Sequence, residues 1–292
     1  MKLIQSSYTY KIIKLFYGEL LHKDNTLSQK LMRIFSRTPL RPFLFKLIHF
    51  FINNKKNEVY SENIFENKIS IDQSINDLNS SGICNNIQIK KSLIDEIKTA
   101  SSKKLFKINR TNNYLNISEK KDNDGIYIAR LKNPHKEIKQ INKIIFNKEI
   151  IEIVRSYLKC EPIVLSSQIW WSFPYYDEAD KHSNPPNNEY GFHYDVDDFK
   201  FLKLFIYLSD VGNLNGPHIY IKNSGDKSFI EYLDRRITDE EANIKYKDKI
   251  MKITGKSGSC FIEDTSFYHK GTNPLIKNGR CILQILYVSK KW

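Results

Sequence analysis

Gly191-Phe192-His193-Tyr194-Asp195 is the stretch from which the rest of the chain can be read. It has the look of a strand edge. Successive side chains of a strand point to opposite faces, so His193 and Asp195, two residues apart, share one. An imidazole beside a carboxylate supplies two ligands of the 2-His-1-carboxylate set that holds non-haem Fe(II), a set that leaves positions open for a co-substrate and dioxygen. A third ligand is available downstream as His269, in Phe261-Ile262-Glu263-Asp264-Thr265-Ser266-Phe267-Tyr268-His269-Lys270-Gly271. Beyond it, Arg280 opens the apolar run 281–288. A guanidinium near such a metal can grip a dicarboxylate through paired hydrogen bonds. Alone, His193 reads better as a hydrogen-bonded histidine of a β-barrel; Arg280 can be read as half of a surface ion pair, which its place at the head of an apolar strand argues against. The ordered set is what points to a metal.

His193-x-Asp195, His269 and Arg280, in that order, resemble the phytanoyl-CoA dioxygenase (PhyH) family of Fe(II)/2-oxoglutarate-dependent oxygenases. Two further stretches carry the likeness. Lys203-Leu204-Phe205-Ile206-Tyr207-Leu208-Ser209-Asp210-Val211, followed by Asn215-Gly216-Pro217-His218, is similar to the family's strand and Gly-Pro turn after the first two ligands. Gly255-Lys256-Ser257-Gly258-Ser259-Cys260-Phe261-Ile262-Glu263-Asp264-Thr265 is similar to its strand leading to the distal histidine. The resemblance covers residues 76–292, with one departure: Lys222-Asn223-Ser224-Gly225-Asp226-Lys227 stands where the family often has Gly-Ser-His.

The resemblance implies an α+β chain with a mainly β core, a double-stranded β-helix of the jelly-roll, cupin-like kind. It implies Fe(II) on His193, Asp195 and His269, and 2-oxoglutarate chelating that iron with its distal carboxylate on Arg280. Dioxygen takes the last position. Succinate and CO2 leave as a C–H bond of a small or carrier-linked organic substrate is hydroxylated. Related halogenases put a small residue where Asp195 stands, so the carboxylate implies hydroxylation or a related oxidation over halogenation. Lys203 and Tyr207, four apart on one strand face, have two readings: they reach the oxoglutarate carboxylates or substrate, or they are a snorkelling lysine and a core tyrosine. Gln168 and Trp170 share a face and line the pocket or pack the core. Asp197 and Asp198 are read as solvated or neighbouring charges, and His218 as structural or substrate-facing.

The chain has 292 residues, with seventeen Tyr and seventeen Phe, enough for a substantial core. No run is long and apolar enough to cross a membrane, and the first residues make a poor signal peptide. Cys84, Cys160, Cys260 and Cys281 are scattered without metal-site or disulfide spacing, which fits a reducing cytoplasm. Net charge is +13, but residues 1–60 hold eleven Lys or Arg against three Asp or Glu, a net of +8. No nucleic-acid-binding motif accompanies that charge.

Residues 1–75 are expected to form a basic helical extension and linker ahead of a domain at 76–292. Residues 8–22 carry apolar residues at helical spacing, and Thr26 or Ser28 can cap a second helix. The run 43–52 is apolar almost all round. Such helices are usually buried, so it is expected to pack on the domain or a second subunit, with an interfacial membrane helix as the alternative. Residues 53–75 read as a linker and 138–158 as one helix. Residues 175–190, with His182, are read as part of a substrate mouth, and the insert 230–253 as a second candidate for the substrate lid. The rival functions are a β-barrel binding module without catalysis and a scaffold recruited to membranes by residues 1–60. Oligomeric state is not legible.

Overall fold

Alternation in the strands sorts apolar from polar faces. In Arg280–Val288 (β11), Cys281, Leu283, Ile285 and Tyr287 join one core cluster, while Arg280, Ile282 and Gln284 face a cavity on the other side. Phe201–Tyr207 (β6) repeats the pattern, with Leu202, Leu204 and Ile206 in the cluster and Lys203 and Phe205 on the cavity. Every residue of both strands is buried, because both faces are covered.

The computed structural model describes residues 8–122, 124–175 and 191–292; of the mouth loop expected at 175–190, residues 176–190, with His182, lie outside them. The remaining strands are Ile83–Gln88 (β1), Leu105–Ile108 (β2), Tyr114–Asn116 (β3), Ile128–Lys132 (β4), Ile163–Ser172 (β5), His218–Ile221 (β7), Ile250–Ile253 (β8), Ser259–Glu263 (β9) and His269–Lys270 (β10). Eight form an antiparallel sheet in the order β1-β9-β6-β11-β5-β4-β2-β3, and three form a smaller sheet, β10-β7-β8. Helices Ile71–Ser81 (α4), Lys91–Ser101 (α5), Lys139–Ile145 (α6) and Lys148–Leu158 (α7) supply the apolar cluster that covers the outer face of the large sheet, through residues such as Leu78, Ile94, Ile141 and Val154. Between the sheets, Phe205, Tyr207, Phe261 and Ile282 meet Tyr220 and Ile253. This is the double-stranded β-helix with packed helices that was expected.

Three expectations need correcting. The single helix at 138–158 is two, because the side chain of Asn147 accepts the N–H groups of Glu149 (3.0 Å) and Ile150 (3.3 Å) and starts α7 afresh. Residues 53–75 are no loose linker. Asn54 donates to Glu161 O (2.7 Å) and Ser289 O (2.8 Å), Tyr60 N donates to Phe146 O (2.8 Å), and Ile64 and Phe65 lie in the main core. Residue 76 itself falls within α4. The third correction concerns the N-terminal helices Tyr8–Leu20 (α1), Leu27–Ser36 (α2) and Arg41–His49 (α3). Thr26 caps α2 in a reciprocal box with Gln29. The all-round apolar run 43–52, expected to pack on the domain or a second subunit, leaves Phe43, Leu47, Phe50 and Phe51 uncovered by the domain.

Candidate metal centre

The backbone at His193 pairs with β10: His193 N donates to His269 O (3.0 Å) and His269 N to His193 O (2.9 Å). That bridge sets the two imidazoles side by side, ring centres 4.6 Å apart. Two residues on, Asp195 N donates to Thr265 O (2.7 Å), which fixes the carboxylate beside them. One ligand atom from each of His193, Asp195 and His269 lies within 4.8 Å of the other two. His269 Nε2 is 3.4 Å from Asp195 Oδ2, and His193 Nε2 is 4.0 Å from Asp195 Oδ1.

Both rings are oriented from behind. His193 Nδ1 meets Gly191 O at 2.9 Å and His269 Nδ1 meets Phe267 O at 3.0 Å. A carbonyl only accepts, so Nδ1 carries the proton and each Nε2 lone pair faces the shared space, the tautomer a metal needs. Burial, then the neighbouring His269, lowers the His193 pKa to about 3. Burial also works against charge on His269, but Asp195 beside it wins and raises its pKa. Asp195 is held well below the usual carboxylate range: burial opposes ionisation, and Lys203 and His269 overcome it.

Lys203 is the strongest of those neighbours. Its ammonium lies 2.6 Å from Asp195 Oδ2 and 2.9 Å from Asp197 Oδ2. It therefore spends its charge on the two acids, and it orients Asp195 through one oxygen. Tyr207 does not reach the cavity. Its hydroxyl donates to Ile253 O (2.8 Å) and accepts His218 N (3.1 Å), which leaves it in the inter-sheet core and corrects the expectation that it touches a bound carboxylate.

Arg280, 4% exposed, lies in the wall of the same cavity, together with Arg130, Gln168, Trp170 and Ser172. One of its η nitrogens donates to Gly216 O, the other to Ser172 Oγ at 3.4 Å, and its buried Nε has no hydrogen-bond partner. A buried guanidinium donor left open at a cavity wall suits an anionic oxygen. The Gly-Pro turn serves this placement. Gly216 has φ +74°, and a Cβ there would come within 2.4 Å of Thr272 O, so only glycine delivers that carbonyl to Arg280.

His218 and Glu263 form a second buried pair on the cavity's inner side, with His218 Nε2 3.1 Å from Glu263 Oε2. Burial pushes the Glu263 carboxyl up to about 8, and burial with His269 nearby pushes His218 well below its ordinary value. Both shifts favour the uncharged forms. Glu263 was not singled out from sequence, although the alternation Phe261-x-Glu263 placed it on the inner face.

Several supports of this centre come from unexpected places. Asp198, read as a solvated charge, is fully buried and accepts Ser289 N (2.7 Å), Ser289 Oγ (2.6 Å) and Trp292 Nε1 (2.8 Å), which ties the C-terminal residues to the ligand loop. The N-terminal region grips the same loop: Arg33 donates to Val196 O (3.0 Å) and Arg41 to Phe199 O (2.8 Å). The departed loop 222–227 braces the second histidine, since Ser224 Oγ accepts Tyr268 N (2.8 Å) and Lys227 Nζ donates to Ser266 O (2.7 Å). The insert at 230–253 forms Phe229–Asp234 (α8), Asp239–Tyr246 (α9) and β8. It backs the ligand stretch, with Tyr194 N donating to Arg235 O (3.1 Å), and it contributes nothing to the cavity wall.

No family model matches the chain, and no curated protein does. The fold, by contrast, is similar to that of solved structures. EvdO2 from Micromonospora carbonacea var. aurantiaca, complexed with 2-oxoglutarate, superposes with a TM-score of 0.54 at 13% identity, over 76% of this chain and 91% of that one. EctD from S. alaskensis with bound Fe gives 0.52 at 14% identity, over 77% of this chain and 81% of that one. AviO1 from Streptomyces viridochromogenes Tue57 gives 0.51 at 12% identity, over 76% and 96%. At such identities the similarity is one of fold.

Proposed function

We propose that the protein is an Fe(II)/2-oxoglutarate-dependent oxygenase that hydroxylates a small or carrier-linked organic substrate. The observation that carries this reading is the convergence of two inward-facing Nε2 atoms, one ionised carboxylate and a buried guanidinium with an open donor around one cavity. Two neighbours of the same fold, solved with 2-oxoglutarate and with Fe respectively, support it.

In this reading His193, Asp195 and His269 hold Fe(II), and Arg280 holds the distal carboxylate of 2-oxoglutarate. When bound, iron and 2-oxoglutarate supply the activation of dioxygen that oxidises a substrate C–H bond. The protein's part is positioning. The Gly191 and Phe267 carbonyls keep both imidazoles in the ligating tautomer. Lys203 holds one oxygen of Asp195 and leaves the other for the metal. Ser172 and the Gly216 carbonyl fix the Arg280 fork. Burial, which favours the uncharged forms of His218 and Glu263, works against a second carboxylate competing with Asp195. Trp170, edge-on to Phe205 with ring centres 6.4 Å apart, gives the cavity an apolar wall for substrate.

Cys84, Cys160, Cys260 and Cys281 are free thiols, which supports a reducing compartment, and we place the protein in the cytoplasm. Among the described residues no helix is long and apolar enough to cross a membrane. The test is turnover. Wild-type protein given Fe(II), 2-oxoglutarate and oxygen should release succinate, and His193→Ala should not. Equal succinate release by the two proteins would end the proposal.

A further inference from the structure

The N-terminal helices both hold to the domain and expose apolar side chains. Leu15 and Glu19 of α1 are buried, Glu19 pairs with Arg33 of α2 (2.6 Å), and Lys11 pairs with Asp234 of α8 (2.5 Å). On α1, Ile13, Phe16, Tyr17 and Leu20 are exposed and recur at i, i+3, i+4 and i+7, on the side of the helix opposite Leu15 and Glu19. On α2 the exposed stripe is Leu27, Leu31 and Phe35. On α3 it is Phe43 and Leu47, continued by Phe50 (86% exposed) and Phe51 (76%).

Fourteen exposed large apolar side chains lie between residues 10 and 51, against nine in the rest of the described chain. A concentration of that kind marks an interaction surface. Its charge indicates the partner. Lys14, Lys23, Lys46, Lys55 and Lys56 are exposed, whereas the exposed acids of this region are Asp24 and Glu58. Two copies meeting through this face would set like charges against each other. An anionic bilayer instead offers an apolar boundary for the aromatic residues and a negative surface for the lysines. The helices are short enough to lie on the surface and cannot span it.

We propose that residues 8–56 form a platform that seats the protein on anionic membranes, with the outward apolar stripes in the headgroup boundary and the surrounding lysines against the headgroups. This inference does not depend on the iron reading. The same helices hold the metal-ligand loop through Arg33 and Arg41, so the cavity sits at a fixed height above the membrane.

The test is sedimentation of the full chain with vesicles of phosphatidylcholine alone and of phosphatidylcholine with phosphatidylserine. The wild type should bind the anionic vesicles and release as salt rises. Phe50→Asp with Phe51→Asp should weaken binding about tenfold or more, and Lys46→Glu about fivefold. All variants should keep the wild-type unfolding transition, because these side chains pack on nothing inside. No binding to either vesicle would overturn the proposal, as would equal binding to both. A wild-type dimer in ultracentrifugation that the Phe50/Phe51 variant splits to monomers would also overturn it, assigning the face to a second copy.

Discussion

Replacing Lys203 by Met removes the nearest cation from Asp195 and Asp197 while roughly keeping the volume of the side chain. Lys203 is 9% exposed, and its ammonium sits 2.6 Å and 2.9 Å from the two carboxylates. Breaking a buried pair from one side costs about 3–5 kcal/mol, because the remaining charge stays out of water without a partner. Metal-free Lys203→Met should therefore unfold in urea with a free energy lower than wild type by about that amount. A dication between His193, Asp195 and His269 would take over the role of counter-ion. Saturating Mn(II), a redox-stable stand-in, should accordingly stabilise the variant by more than it stabilises wild type, by about 1–2 kcal/mol. The assay is urea unfolding by circular dichroism, with chelator and with Mn(II). Metal-free variant within 1 kcal/mol of wild type would refute the claim that Lys203 is the counter-ion. Equal metal stabilisation of both proteins would refute the claim that the metal stands beside Asp195.

Two further predictions follow from the same geometry. Glu19 is opposed by its burial, but Arg33 and Arg37 hold it ionised and lower its pKa from 4.5. A depressed carboxylate contributes stability that is present above the unfolded value and is lost as pH falls through the folded one. Protection of residues 8–52 against hydrogen exchange, relative to the intrinsic rate at each pH, should thus fall below pH 4.5 in wild type, whereas Glu19→Gln should already show low protection at neutral pH; identical profiles would remove Glu19 from the account. Asn147→Ala removes the cap of α7 and a bond from Asn147 Nδ2 to Glu62 O (3.2 Å), so urea unfolding should show a loss of about 1–2 kcal/mol. No loss would mean that another group starts the helix.

The parts of the fold that repeat a local period were legible in the sequence. Strand alternation put His193 with Asp195 on one face, and Gln168 with Trp170 on another, and the structure brings those faces to one cavity. What escaped was the pairing of each polar group across the fold. Lys203 and Tyr207 share a strand face and looked equivalent, yet one meets two acids and the other two backbone groups. Those partners come from distant segments, and no local pattern names them. Composition misled at residues 53–75, where polar side chains bind backbone carbonyls of the domain and two isolated apolar residues, Ile64 and Phe65, reach the core. It misled again at 43–52, since apolar content forecasts burial only where enough neighbours stand nearby to cover it.

The most direct test of the central claim is anaerobic absorption spectroscopy of the purified full chain, with Fe(II) added first and 2-oxoglutarate second. A charge-transfer band should appear on the second addition, vanish in His269→Ala, and require far more 2-oxoglutarate in Arg280→Ala. Folded wild-type protein that gives no band and binds no 2-oxoglutarate would contradict the account, and would leave the cavity as a binding site without iron chemistry.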